Sequence, residues 1–139
     1  MSKELILKKA EQLKELLTEL ARLLETPEEQ FTKDLKTIRA SERNFELMVE
    51  TASDINTQML LDAGKKTPDT YKESFIALKK SGVLPPELAS RLVATAKLRN
   101  ILIHEYDFDE DYEEFYREAK KAVPAYHEYL HVVLMALPK

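Results

Sequence analysis

The chain has no cysteine and only two glycines in 139 residues. Without cysteine there is no disulfide, no thiol nucleophile and no cysteine-based zinc site, which fits a reducing compartment and an expected cytoplasmic location. So few glycines argue against a loop-rich or β-rich fold. Long apolar runs are also missing: none approaches the roughly 18 residues needed to span a bilayer. The opening Met1-Ser2-Lys3-Glu4 leads into a charged amphipathic pattern rather than an apolar core, so neither a signal peptide nor a membrane anchor is expected. Nor is there a strong charge of one sign. The net charge of −4 gives no global pull toward nucleic acid, and any RNA contact needs a local basic groove.

What is present is helix-forming. Hydrophobic residues make up 44% of the chain, a globular value, and Leu, Glu, Lys and Ala dominate. The length suits a single domain over residues 1–139. Ile6, Ala10, Leu13, Leu17, Leu20 and Leu24 recur at alternating steps of four and three, the stripe of a helix packed in a bundle. Thr26-Pro27-Glu28-Glu29 stops that helix and starts a second, with Thr26 as N-cap and Pro27 at the first helical position. The second helix is expected from Pro27 to about Asp62, on a stripe of Phe31, Leu35, Ile38, Phe45, Val49, Ala52 and Met59. Glu42 and Asn56 interrupt the stripe and require partners or a cleft. Gly64 marks a left-handed stop. Thr67-Pro68-Asp69 opens a third helix with Tyr71, Phe75 and Leu78 on one face, and Ser81-Gly82 closes it. Leu84-Pro85-Pro86-Glu87 opens a fourth that reaches Arg99 and His104. The last carries Tyr112, Phe115, Tyr116, Ala119 and Ala122, three aromatics expected in the core or an interface, with Pro124 expected to kink or break it. The expected fold is all-α, an antiparallel bundle of about five helices.

The chemistry-bearing run is Arg99-Asn100-Ile101-Leu102-Ile103-His104-Glu105-Tyr106. Arg99 and His104 stand about 140° apart on an ideal helix and converge only where a helix ends; Asn100 and His104 share a face. An arginine fork suits a phosphate. A histidine moves a proton near neutral pH. Together they form a minimal kit for cutting RNA without a metal, and a symmetric dimer supplies the second histidine that separate acid and base roles require. The bland alternative is an Arg and a His that cap helix carbonyls and pair with Asp107 and Asp109.

The run Arg99-Asn100-x-x-x-His104-x-Tyr106, with Gly64, Pro68, Tyr71, Phe75, Leu78, Gly82, Leu84 and Leu98 around it and Arg43, Glu50 and Asp54-Ile55 upstream, resembles the HEPN-domain family, specifically the HepT-like toxins. The resemblance covers nearly the whole chain. It implies a dimerising helical bundle in which Arg99 and His104 are the ribonuclease residues of a shared cleft and Asn100 supports them. It also implies a small nucleotidyltransferase antitoxin as partner, with Tyr106 as a site of AMP modification, and no cofactor. The dense acid after the motif (Glu105, Asp107, Asp109, Glu110, Asp111, Glu113, Glu114) departs from what RNA needs, unless it faces away from the cleft or meets a basic antitoxin surface. Glu50 and Asp54 either orient Arg99 or His104 or form a buried ion pair with Arg43. A non-catalytic module that docks a nucleotidyltransferase is the rival reading.

His127-Glu128-Tyr129-Leu130-His131 matches the zinc-protease string H-E-x-x-H. With eight residues left there is no room for the usual third ligand, and a surface pair without metal is expected.

Overall fold

The computed structural model describes residues 2–104 and 111–138; the side chain of His104 falls outside the described part. Among the described residues six helices follow one another: α1 (Ser2–Leu23), α2 (Glu28–Phe31), α3 (Leu35–Asp62), α4 (Tyr71–Lys80), α5 (Pro86–His104) and α6 (Tyr112–Ala136). There is no strand among the described residues. No helix there is long and apolar enough to cross a membrane.

The stripe of α1 behaves as its spacing dictates: Ile6, Ala10, Leu13, Leu17, Leu20 and Leu24 are all buried. Cross-links fix its direction against α3. Lys9 meets Asp54 and Asn44 meets Glu19, so position rises along one helix as it falls along the other, and the two are antiparallel. Helices α5 and α6 are also antiparallel, through Arg91–Glu128 and Thr95–Tyr126. By contrast α3 and α6 run the same way, since Arg39 meets Tyr112 near one end and Asn56 meets Tyr129 further along. The core between them is aromatic, with Phe31, Phe45 and Phe115 at one end and Phe75, Tyr126 and Tyr129 at the other.

The boundaries differ from the sequence reading in four places. The expected helix from Pro27 to Asp62 is two helices. Asp34 accepts hydrogen bonds from the Thr37 amide at 3.2 Å and the Thr37 hydroxyl at 2.7 Å and caps a new start, leaving Leu35 56% exposed, off the stripe. Thr26 is not the N-cap of α2: extended Pro27 holds that place without a side-chain bond, and the Thr26 carbonyl accepts from the buried Tyr116 hydroxyl at 2.8 Å. Helix α4 starts at Tyr71 rather than at Thr67-Pro68-Asp69, because Thr70 caps it by accepting from the Glu73 amide. Finally, α6 runs unbroken through Pro124. Proline removes one N–H from the ladder, but Pro124 and Lys120, whose carbonyl loses its donor, are both exposed, so the carbonyl is not sealed away from solvent.

Both glycines sit where only glycine is at ease. Gly64 (φ 71°) and Gly82 (φ 86°) end α3 and α4 in the same motif, in which Lys65 donates to Leu60, Gly64 to Leu61, Val83 to Leu78 and Gly82 to Lys79. These stops set the two ends of the segment that carries α4 across the bundle.

Candidate functional site

Arg99 lies in the last turns of α5, and its side chain is only 14% exposed. Three neighbours hold it. Its guanidinium carbon sits 4.4 Å from the centre of the Tyr71 ring, a cation–π distance. Its Nη2 is 3.9 Å from Glu50 Oε2 on α3. Its Nη1 donates to Asn100 Oδ1 at 3.3 Å. The buried Nε–H has no acceptor among the described residues. The three contacts hold the guanidinium as a fixed positive charge between Tyr71 and Asn100.

Tyr71 reaches Arg99 because the start of α4 is anchored from below. The Ser74 hydroxyl donates to the Tyr71 carbonyl at 2.7 Å and accepts from Asn56 Nδ2 at 3.0 Å. Asn56 Oδ1 in turn lies 2.6 Å from the Tyr129 hydroxyl, which also faces the Ala52 carbonyl at 3.0 Å. Asn56, Ser74 and Tyr129 are all wholly buried. The polar slot at Asn56 is thus a hydrogen-bonded link across three helices. Glu42, the other polar slot, is 8% exposed and pairs with Arg39 at 2.9 Å.

Beside Arg99 opens a polar cleft lined by Ser53, Asp54, Thr57, Asp69, Tyr71 and Asn100. Asp54 faces it while paired to Lys9 at 3.1 Å. Arg43 reaches Glu46 at 3.5 Å; the considered ion pair of Arg43 with Glu50 or Asp54 is not formed. The structure therefore brings Arg99, Asn100 and Glu50 into contact and places Asp54 on the same cleft. His104 is the last residue of α5, on the turn after Arg99; its side chain and the whole of Tyr106 lie outside the described residues. Tyr71 packs against the core on the face it shares with Phe75 and Leu78, as its spacing indicates, and the contact with Arg99 is what the spacing did not show.

His127 and His131 are exposed, and Glu128 accepts from Arg91 at 2.6 Å. Among the described residues no three His, Cys, Asp or Glu side chains gather as a metal site. At the far end of α6, burial pushes the phenols of Tyr126 and Tyr129 above their ordinary range; the hydrogen bond with Thr95 offsets this in part for Tyr126, and the neighbouring Tyr126 adds to it for Tyr129.

The family model described as "Ribonuclease HepT-like" matches residues 6–133. A tRNA nuclease HepT of Aphanizomenon flos-aquae is 44% identical over 69 residues, covering 48% of this chain and 46% of that protein; the chain thus spans about half the length of that relative. A putative RNase of Archaeoglobus fulgidus is 31% identical over 107 residues, 77% of this chain and 74% of its own. Among solved structures, the tri-AMPylated HEPN toxin of Shewanella oneidensis in complex with its MNT antitoxin superimposes with a TM-score of 0.85 at 18% identity, covering 94% of this chain and 96% of that one. At that identity the likeness is one of fold. With the family model spanning residues 6–133, the chain belongs to the HepT-like ribonuclease family.

Proposed function

We propose that this chain is the toxin of a toxin–antitoxin pair, a cytoplasmic endoribonuclease that cuts RNA without a metal in a cleft between two copies of itself. The observation that carries the reading is Arg99: sunk to 14% exposure, held by Tyr71 and Glu50, and set against Tyr71 and Asn100, two residues that line an open polar cleft. The family match supports it. So do the nuclease relatives.

In the reaction the 2′-oxygen of one ribose attacks the adjacent phosphorus and the bond to the 5′-oxygen breaks. His104 carries the proton, either from the attacking hydroxyl or to the leaving oxygen. The partner copy's histidine supplies the complementary role. Arg99 neutralises the charge that builds on the phosphoryl oxygens, where a fixed donor is worth more than a mobile one. Asn100 holds the guanidinium in plane, with Glu50 behind it, while Asp54 shapes the cleft. The antitoxin is a nucleotidyltransferase. It transfers AMP to the Tyr106 oxygen with release of pyrophosphate, and the added anion blocks the cleft and repels RNA. A HEPN toxin of this fold has been solved AMPylated and bound to an MNT antitoxin, which supports that partner.

The test is cleavage of labelled tRNA and mRNA by purified, unmodified protein in EDTA, beside Arg99→Ala and His104→Ala. Cleavage by the wild type, lost in both variants, is expected. No cleavage by folded wild type overturns the nuclease reading and leaves a module that docks a nucleotidyltransferase.

A further inference from the structure

The polar cleft beside Arg99 meets a second cleft at Pro68 and Asp69. This one is lined by Lys66, Lys72 and Lys80, with Pro68, Ile76 and Ala77 as its apolar floor and Glu73 beside them. The helix spacing explains the rim. Lys72, Ile76 and Lys80 follow at four-residue steps along one face of α4, while Ser74, Phe75 and Leu78 face the core. All three rim lysines are exposed and Pro68, Ile76 and Ala77 are half-buried. Residues 65–80 carry five lysines against Asp69 and Glu73. None of the five makes an ion pair among the described residues. Lys79 and Lys80 complement the negative end of the α4 dipole. Lys65 and Lys66 follow the negative end of α3 in the same way, whereas Lys72 stands in the first turn of α4, at the positive end, and has no such reason to be there.

We infer that this cleft is a second RNA subsite, which holds a nucleotide of single-stranded RNA one step beyond the Arg99 cleft; the inference rests on the ribonuclease reading above. The chemistry fits a nucleotide in both its parts. Three ammonium groups on flexible stems neutralise backbone phosphates without demanding a fixed geometry. The floor of Pro68, Ile76 and Ala77 offers an apolar surface to the face of a base or sugar, sequence-tolerant as single-strand binding usually is. The location supplies the local basic groove that RNA contact requires in a chain of net charge −4. Asp69, on the ridge between the clefts, repels a phosphate there, so the backbone passes on the lysine side.

The test measures binding of a short, fluorescent, 2′-O-methyl single-stranded oligoribonucleotide, which resists cleavage by 2′-oxygen attack, across a series of salt concentrations. It compares wild type, Lys66→Gln/Lys72→Gln/Lys80→Gln, and the charge-matched control Lys3→Gln/Lys8→Gln/Lys36→Gln. The cleft variant is expected to bind about tenfold more weakly and to lose about 2 from the slope of log affinity against log salt, at roughly 0.7 for each phosphate contact; the control is expected to keep its slope. A cleft variant that binds as the control does, or a wild type that does not bind, overturns the subsite and leaves the lysines to a protein partner. Binding through the cleft by a protein that cuts no RNA overturns the nuclease reading instead, so the two failures are separable.

Discussion

Two stretches of this chain carry charge in opposite senses and use it differently. Residues 65–80 hold five Lys against two acids, a balance of +3; residues 105–118 hold eight acids against Arg117 alone, a balance of −7. In the described part of the acidic stretch Asp111, Glu113 and Glu118 are occupied within the fold, and Glu114 has no ion partner among the described residues. Asp111 caps α6 by accepting from the Glu114 amide, Glu113 pairs with Arg117, Arg117 grips Glu28 through two nitrogens, and Glu118 pairs with Lys121. Acid at a helix N-terminus is also favoured by the dipole. The lysines of the basic stretch have no ion partner among the described residues. Sequence density of charge therefore does not say which stretch serves the outside; pairing does. The net charge of the chain hides a local basic surface, and most of the acid that follows the motif is, where described, spent at the start of α6.

The sharpest way to break this comparison is at the edge of the basic region. Arg99→Ala should lower kcat for RNA cleavage by roughly 10² to 10³, the usual cost of removing one fixed donor to a developing anion, with the folded state intact by circular dichroism. Next comes alkali. Tyr126 and Tyr129 stay neutral in the fold, while in the unfolded chain their phenols ionise at about pH 10. Their contribution is complete below that pH and is lost above it, at up to about 1.4 kcal/mol per pH unit and phenol. Urea midpoints should therefore fall between pH 9 and pH 11, and less steeply in Tyr126→Phe; equal slopes would refute the assignment. Asn56→Leu strips the link beneath α4 and should cost about 1–3 kcal/mol in urea unfolding. A matching Leu at half-buried Asn44, which bonds only to the Glu19 carboxylate, should cost less.

A finer effect separates holding from folding at Tyr71. Tyr71→Leu should lower kcat about tenfold with KM little changed, the loss of a cation–π contact of about 1 kcal/mol, and should shift the Arg99 Nε–H resonance, which the ring current now moves. Tyr71→Phe should restore both. The smallest effect is expected on the acidic side: Glu113→Gln/Glu114→Gln should leave RNA affinity within about twofold, because these acids serve the helix start. A large gain in affinity would show that they do face the RNA.

The helices with an uninterrupted apolar period were readable. The α1 stripe is buried at every expected position, and both glycine stops fall where the sequence placed them. What misled was periodicity that continues across a turn. Phe31 and Leu35 stand four apart, as in one helix, yet the Asp34 cap starts a new helix between them, a break that apolar spacing does not encode. Helix α4 likewise begins behind the Thr70 cap and not at Thr67-Pro68. At the site, Arg99, Asn100, Glu50 and Asp54 were singled out from residue type and motif. Tyr71 and the Asn56–Ser74–Tyr129 link were not, because each joins residues from different helices and no local spacing encodes it.

Pro124 gives α6 a property that its unbroken outline conceals. A helix resists amide exchange as a unit only while its ladder is continuous, and at this proline one rung is absent on the solvent side. The half that begins at Asp111 and the half that carries Tyr126 and Tyr129 can therefore open independently, with two levels of deuterium protection along one rod. The second half, which anchors α4 through Asn56, should be the slower to exchange. Loosening beside the acidic stretch then need not propagate to the ground on which Arg99 stands.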